Sequence, residues 1–137
     1  MIANGAAGSS IVSSPPATIL VIDDDAAMGM ILGITLRAFG YLVLVSGDGK
    51  EALQVARDHP EIRIILLDVV MPGLSGRELA DQLQNTLPNA AILFCSGHPP
   101  ELMSVHGIDL NLDQFMQKPC RPPELQRKVE ELLLATV

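Results

Sequence analysis

Three consecutive acids, Asp23, Asp24 and Asp25, follow a short apolar run from Thr18 to Ile22. A fourth acid, Asp68, follows Leu67; Ser96 comes just after the run ending at Phe94, and Lys118 directly follows Gln117. Carboxylates, a hydroxyl and an ammonium are the groups that manage hard cations and phosphate. Two carboxylates about 4 Å apart repel by roughly 4 kcal/mol at an effective dielectric near 20. Three gathered together need a cation. Mg²⁺ suits the role, because it takes one or two carboxylates, a carbonyl and waters, and leaves room for phosphate oxygens; Mn²⁺ could take its place. Lys118 would add a mobile positive charge and Ser96 a donor to a phosphoryl oxygen. The set fits in-line phosphoryl transfer to a carboxylate, where positioning and charge neutralisation do most of the catalysis.

Taken singly, each residue has a plainer reading. An Asp after a strand is often a helix N-cap, and one of Asp23 to Asp25 is expected to cap the helix that follows. Ser96 before Gly97 is ordinary turn chemistry, and Lys118 before Pro119 could be an exposed surface lysine. Their recurrence at the ends of successive strands is what favours a shared site.

Those strands come from an alternating pattern. Thr18 to Ile22 reads as a strand buried on both faces, followed by a helix from Ala26 to Phe39 that Gly40 closes. Tyr41 to Val45 is a second strand, and Asp48 or Gly49 opens a helix carrying Ala52, Leu53 and Ala56. Arg63 to Leu67 is the third strand. Ser75-Gly76-Arg77-Glu78 makes a capping box ahead of Leu79, Leu83 and Leu87. Ala90 to Phe94 is the fourth strand, Pro100 to His106 only a short helical segment, and Gln114 to Gln117 the fifth strand. A last helix begins near Pro122 with Leu125, Val129, Leu132 and Leu133 on one face. Five βα units imply an α/β fold with a parallel sheet, helices on both faces and chemistry at the carboxyl ends of the strands.

Four segments match a known pattern in order and spacing: Ile-Leu-Val-Ile-Asp-Asp-Asp, Leu-Leu-Asp-Val-Val-Met-Pro-Gly-Leu-Ser-Gly, Phe-Cys-Ser-Gly and Phe-Met-Gln-Lys-Pro. Together they resemble the receiver domains of two-component phosphorelay signalling, from about Thr18 to Leu134. The resemblance implies a flavodoxin-like (βα)5 doubly wound sheet of strand order 2-1-3-4-5. It implies Asp68 as phosphoacceptor, Asp24 as direct metal ligand, Asp23 acting mainly through a metal-bound water, and Val70 lending its backbone carbonyl. Ser96 stands at the switch hydroxyl, Lys118 at the lysine, and Phe115 at the aromatic position whose rotamer follows phosphorylation. Val70 and His98 flank the phosphoryl pocket, where such neighbours tune the loss of the phosphoryl group. The donor would be a phosphohistidine on a histidine kinase or a histidine phosphotransfer domain. Phosphorylation would shift the face made by the fourth helix, fifth strand and fifth helix, which could also support a phosphorylation-dependent homodimer. Such a domain carries out only its own phosphotransfer and autodephosphorylation, so no enzyme turning over a separate substrate is expected.

On the first helix, Met28, Leu32, Thr35, Leu36 and Phe39 form an inward face. Ala27, Met30, Ile31, Ile34 and Ala38 form a second apolar stripe where a surface helix normally carries charge. Either the helix is unusually buried, or Ala27, Met30 and Ile34 belong to a docking patch for the helical bundle of the phosphodonor. Cys95 and Cys120 fall on adjacent strand ends and could lie near each other.

With 137 residues and 48 % hydrophobic side chains, the chain has material for one core. The net charge of −7 argues against binding nucleic acid or anionic membranes. Two cysteines make no disulfide framework, which suits the cytoplasm. Residues 1–17, rich in Ala, Gly, Ser and Pro, read as a flexible tail or linker, and 18–137 as the domain. The chain is then either a stand-alone receiver or the receiver part of a hybrid histidine kinase. A haloacid-dehalogenase-type phosphatase would need a second Asp two residues after Asp68, where Val70 stands. A phosphorylation-independent module would not need the acceptor, metal ligands and lysine.

Overall fold

A computed structural model describes residues 15–73 and 75–135. The expected tail therefore falls almost wholly outside the described residues. Strands β1 (Thr18–Ile22), β2 (Leu42–Ser46), β3 (Ile62–Asp68), β4 (Ala91–Ser96) and β5 (Gln114–Gln117) alternate with helices α1 (Ala26–Ala38), α2 (Gly49–Asp58), α3 (Gly76–Thr86) and α4 (Pro122–Ala135). The sheet order is β2-β1-β3-β4-β5, with every pairing parallel, as the (βα)5 reading expects.

Alternation along each strand divides the core between the two faces of the sheet. Leu20, Ile22, Ile65, Leu67 and Phe94 pack with Ala52, Ala56, Leu79 and Leu83 of α2 and α3. Ile19, Val21, Ile64, Leu66 and Leu93 pack on the other face with Leu32 and Leu36 of α1 and Leu125, Val129 and Leu132 of α4. Both faces of β1 are dry, which is why its sequence is a continuous apolar run rather than an alternating one.

The fourth crossover departs from the others. Between β4 and β5 the chain forms a 3-10 turn, Pro100–His106, with no side-chain cap and with left-handed Gly107 ending it. This is the segment whose sequence promised only a short helix. Gly107 has φ +79°, and a Cβ there would sit 2.8 Å from the Arg77 Cβ. Arg77 of α3 clamps the loop. Its Nε donates to the Gly107 carbonyl at 3.0 Å, its Nη2 pairs with Asp113 at 2.7 Å, and its guanidinium lies 5.3 Å from the Phe94 ring centroid.

Candidate functional site

The strand register brings the sequence-predicted residues to one rim. Ile22 of β1 pairs with Leu67 of β3, and Asp68 pairs with Cys95 of β4. Ser96 pairs with Gln117 of β5, so Lys118 comes next on that edge. Strands β3 and β4 run slightly further than the apolar runs suggested, since Asp68 and Ser96 still take part in the ladder. Backbone bonds continue past the strands: Val69 N–H donates to Cys95 O at 2.8 Å, and Lys118 N–H to Ser96 O at 2.8 Å. The rim is therefore held by main chain, independently of any side chain that does chemistry.

The three acids divide their tasks. Asp25 is the N-cap of α1 and accepts from the amides of Ala27 and Met28. Asp23 is buried; one of its oxygens accepts from Asp25 N–H at 3.0 Å, and the other from Lys118 Nζ at 2.8 Å. Asp24 is exposed. Carboxylate oxygens of Asp23, Asp24 and Asp68 all lie within 4.8 Å of one another. That spacing suits a hard divalent cation, whose oxygen ligands surround it at short range.

Lys118 bridges the cluster, standing 3.5 Å from Asp68 as well as 2.8 Å from Asp23. Burial alone would lower its pKa, but the hydrogen bond to Asp23 and the negative charges of Asp68 and Asp23 outweigh that and raise it. Lys118 stays an ammonium. Asp68 moves the other way for an acid. Burial pushes it up to about 6 against the pull of Lys118, with Asp23 and Asp24 adding to the rise and the Val70 amide, 3.3 Å from Oδ1, opposing it. A carboxylate so poorly solvated gains from any cation placed against it. The donor set fits a metal in that sense.

Ser96 is fully buried, and its Oγ accepts from His98 N–H at 3.0 Å. His98 is itself exposed, with its ring edge-on to His106 at 6.0 Å. Val70 is half-buried beside the rim. Phe115 pairs with Phe94 across β5 and β4 and is half-buried against the α2/α3 face of the core. The Cys95 and Cys120 sulfurs lie 3.9 Å apart. The contact pushes the Cys95 thiol up, with burial adding to the rise; the same contact pulls Cys120 down, helped by Lys118.

On α1, Met30, Ile31 and Ile34 are 59 %, 56 % and 59 % exposed, and Ala27 is exposed as well. The apolar stripe faces solvent, so the alternative of an unusually buried helix fails. The contacts that sequence reasoning missed are those of Arg77 and of two glycines, Gly29 and Gly33, buried on the sheet side of α1. Arg77 carried one available signal: it sits inside the capping-box segment, which drew attention only to Ser75 and Glu78.

Known proteins share this arrangement. The family model described as "Response regulator receiver domain" matches residues 19–130. The chain is 35 % identical over 116 residues to the alkaline phosphatase synthesis transcriptional regulatory protein PhoP of Bacillus subtilis, covering 84 % of this chain and 48 % of that protein. It is 38 % identical over 119 residues to the response regulator MprA of Mycobacterium leprae, covering 86 % and 51 %. The chain thus spans about half the length of the curated relatives it matches. Among solved structures, a CheY-like receiver domain protein from Methanospirillum hungatei superposes with a TM-score of 0.77 at 25 % identity, covering 88 % of this chain and 96 % of that one. A parallel 2-1-3-4-5 sheet with acids, a hydroxyl and a lysine on one rim, matched over nearly its whole length by that family, makes this chain a member of the response regulator receiver domain family of two-component signalling.

Proposed function

We propose that Asp68 is the phosphoacceptor and that it takes its phosphoryl group from a phosphohistidine of a histidine kinase or histidine phosphotransfer domain. One observation carries the reading: the Asp68 carboxylate is buried beside two further acids and a lysine that reaches it. Asp24 and Asp68 would hold Mg²⁺ directly, Asp23 through water because its oxygens are already engaged, and Val70 through its carbonyl. When bound, the ion would neutralise charge between acceptor and phosphoryl oxygens. Asp68 supplies the attacking oxygen, and the phosphorus–nitrogen bond of the donor breaks as the phosphorus–oxygen bond forms. Lys118, already at 3.5 Å, neutralises a remaining oxygen. Val70 and His98 flank the resulting acyl phosphate.

Ser96 then turns its hydroxyl from the His98 amide toward the phosphoryl group, and Phe115 moves into the space that opens. The shift reaches the face built from the 3-10 turn, β5 and α4, where Leu102, Val105 and Leu112 are exposed. That face could serve a homodimer of the phosphorylated form. Ala27, Met30 and Ile34 form the patch that meets the donor. The chain acts in the cytoplasm as a signalling acceptor rather than as an enzyme with a separate substrate, and it contacts neither nucleic acid nor membrane. Among the described residues no helix is long and apolar enough to cross a membrane. Residues 1–17 serve as a tail or linker ahead of the domain at 18–137, whether the chain stands alone or belongs to a hybrid kinase. The test is intact mass after incubation with acetyl phosphate and Mg²⁺. Wild type gains one phosphoryl group and Asp68→Asn gains none; stoichiometric labelling of that variant would move the acceptor elsewhere.

A further inference from the structure

We infer that Cys95 and Cys120 form a redox pair whose disulfide displaces Lys118. The sulfurs already stand 3.9 Å apart. Closing them to the ~2.05 Å of a disulfide requires a movement of roughly 2 Å. The movement cannot be shared equally. Cys95 lies inside the sheet, 1 % exposed, opposite Asp68 on one side and Met116 on the other, and its carbonyl holds the Val69 amide. Cys120 is half-buried in the connection between β5 and α4, two residues after Lys118. The displacement therefore falls on Pro119 and Cys120 and strains the adjoining Lys118, whose amide is held by the Ser96 carbonyl at 2.8 Å and whose ammonium bridges Asp23 and Asp68.

Accessibility orders the chemistry. A hydroperoxide transfers one oxygen to the Cys120 sulfur, leaving a sulfenic acid and water. The Cys95 sulfur then attacks that sulfur; the sulfur–sulfur bond forms, the sulfur–oxygen bond breaks, and hydroxide leaves with the Cys95 proton as water. Two thiols and one hydrogen peroxide give a disulfide and two waters, with two electrons passing from sulfur to peroxide oxygen. Cross-links of this kind inside cells are transient and serve to sense oxidants. The cross-link itself is independent of the acceptor; its effect on labelling rests on Asp68 being that acceptor.

The experiment treats the folded chain with hydrogen peroxide, removes the peroxide, then reads intact mass and, after unfolding in urea, alkylation by N-ethylmaleimide. Wild type loses two hydrogens and both alkylation sites, while Cys95→Ser gains oxygen at Cys120 instead. Acetyl phosphate with Mg²⁺ then labels the oxidised protein about a hundredfold more slowly, the scale on which misplacing a catalytic group by ~1 Å acts. Dithiothreitol restores the rate, and the rate of Cys120→Ser does not respond to peroxide. Two alkylatable thiols after peroxide, a disulfide-linked dimer, or a disulfide that leaves labelling unchanged would each overturn the inference. Failure of the reduced wild type to label at all would count against Asp68 as acceptor, while mass and alkylation still decide the thiol pair.

Discussion

Asp68 shows how one side chain can be both costly and useful. Its folded pKa of about 6 lies above the ~3.9 of an unfolded chain, so the native state binds more protons between those values. Stability contributed by this group is thus lost as pH rises from about 4 to 6, and the full cost, roughly 2–3 kcal/mol, remains at neutral pH. Asp23, Asp24 and Lys118 face the same carboxylate, and of these charges Lys118 alone relieves it, with the Val70 amide adding a smaller pull. Urea titrations of metal-free protein at pH 5 and pH 7.5 should show Asp68→Asn gaining about 2 kcal/mol on wild type at the higher pH. Added Mg²⁺ should close that gap, and the midpoint of the labelling rate against pH should fall below 6 as Mg²⁺ saturates. An unchanged gap with Mg²⁺ would deny the ion its place beside Asp68. The acids themselves were plain in the sequence, because the ends of apolar runs mark the reactive rim of a parallel sheet. Their different burial was not: Asp23 and Asp24 are neighbours in sequence, and what separates them is Lys118, 95 residues away.

Local chemistry specified the elements well where a cap or a run of branched residues was involved. Ser75 and Glu78 make both halves of the capping box that their spacing predicts, and Asp48 caps α2 through the Glu51 amide. Close approach of main chain was invisible, because a helical wheel ranks glycine as neutral. A Cβ on Gly29 would sit 3.1 Å from the Val45 Cγ1, so α1 lies nearer to β2 than its apolar stripes suggested. Gly76 is the sharper case. A Cβ there would come within 2.9 Å of the Val69 carbonyl oxygen, which belongs to backbone and has little room to yield. Gly76→Ala should therefore destabilise the fold by about 1–3 kcal/mol in urea and slow labelling, since Val69 directly follows Asp68. Unaltered stability would mean that α3 can slide freely against that turn.

At the scale of the molecule, the two faces of the sheet and the strand order were legible because each apolar run was short and each crossover was helical or nearly so. The inward face of α1 was legible too, but whether its second apolar stripe faces water was not, since that composition suits burial as well as a docking patch. With Met30 and Ile34 each 59 % exposed, Met30→Asp or Ile34→Asp should cost little stability and slow transfer from a cognate phosphohistidine donor about tenfold or more. Labelling by acetyl phosphate should not change, and equal slowing with both donors would remove the patch from docking. The outer strand, β2, carries a different consequence. Leu42 and Val45 leave it greasy, yet Arg37 reaches from α1 and donates to the Val43 carbonyl at 3.1 Å. An open strand flank is a template for stacking one molecule on the next, and here a guanidinium already occupies one of its rungs. Crowded copies meeting along that border would have to evict an arginine before they could zip together, which favours separate molecules over fibres.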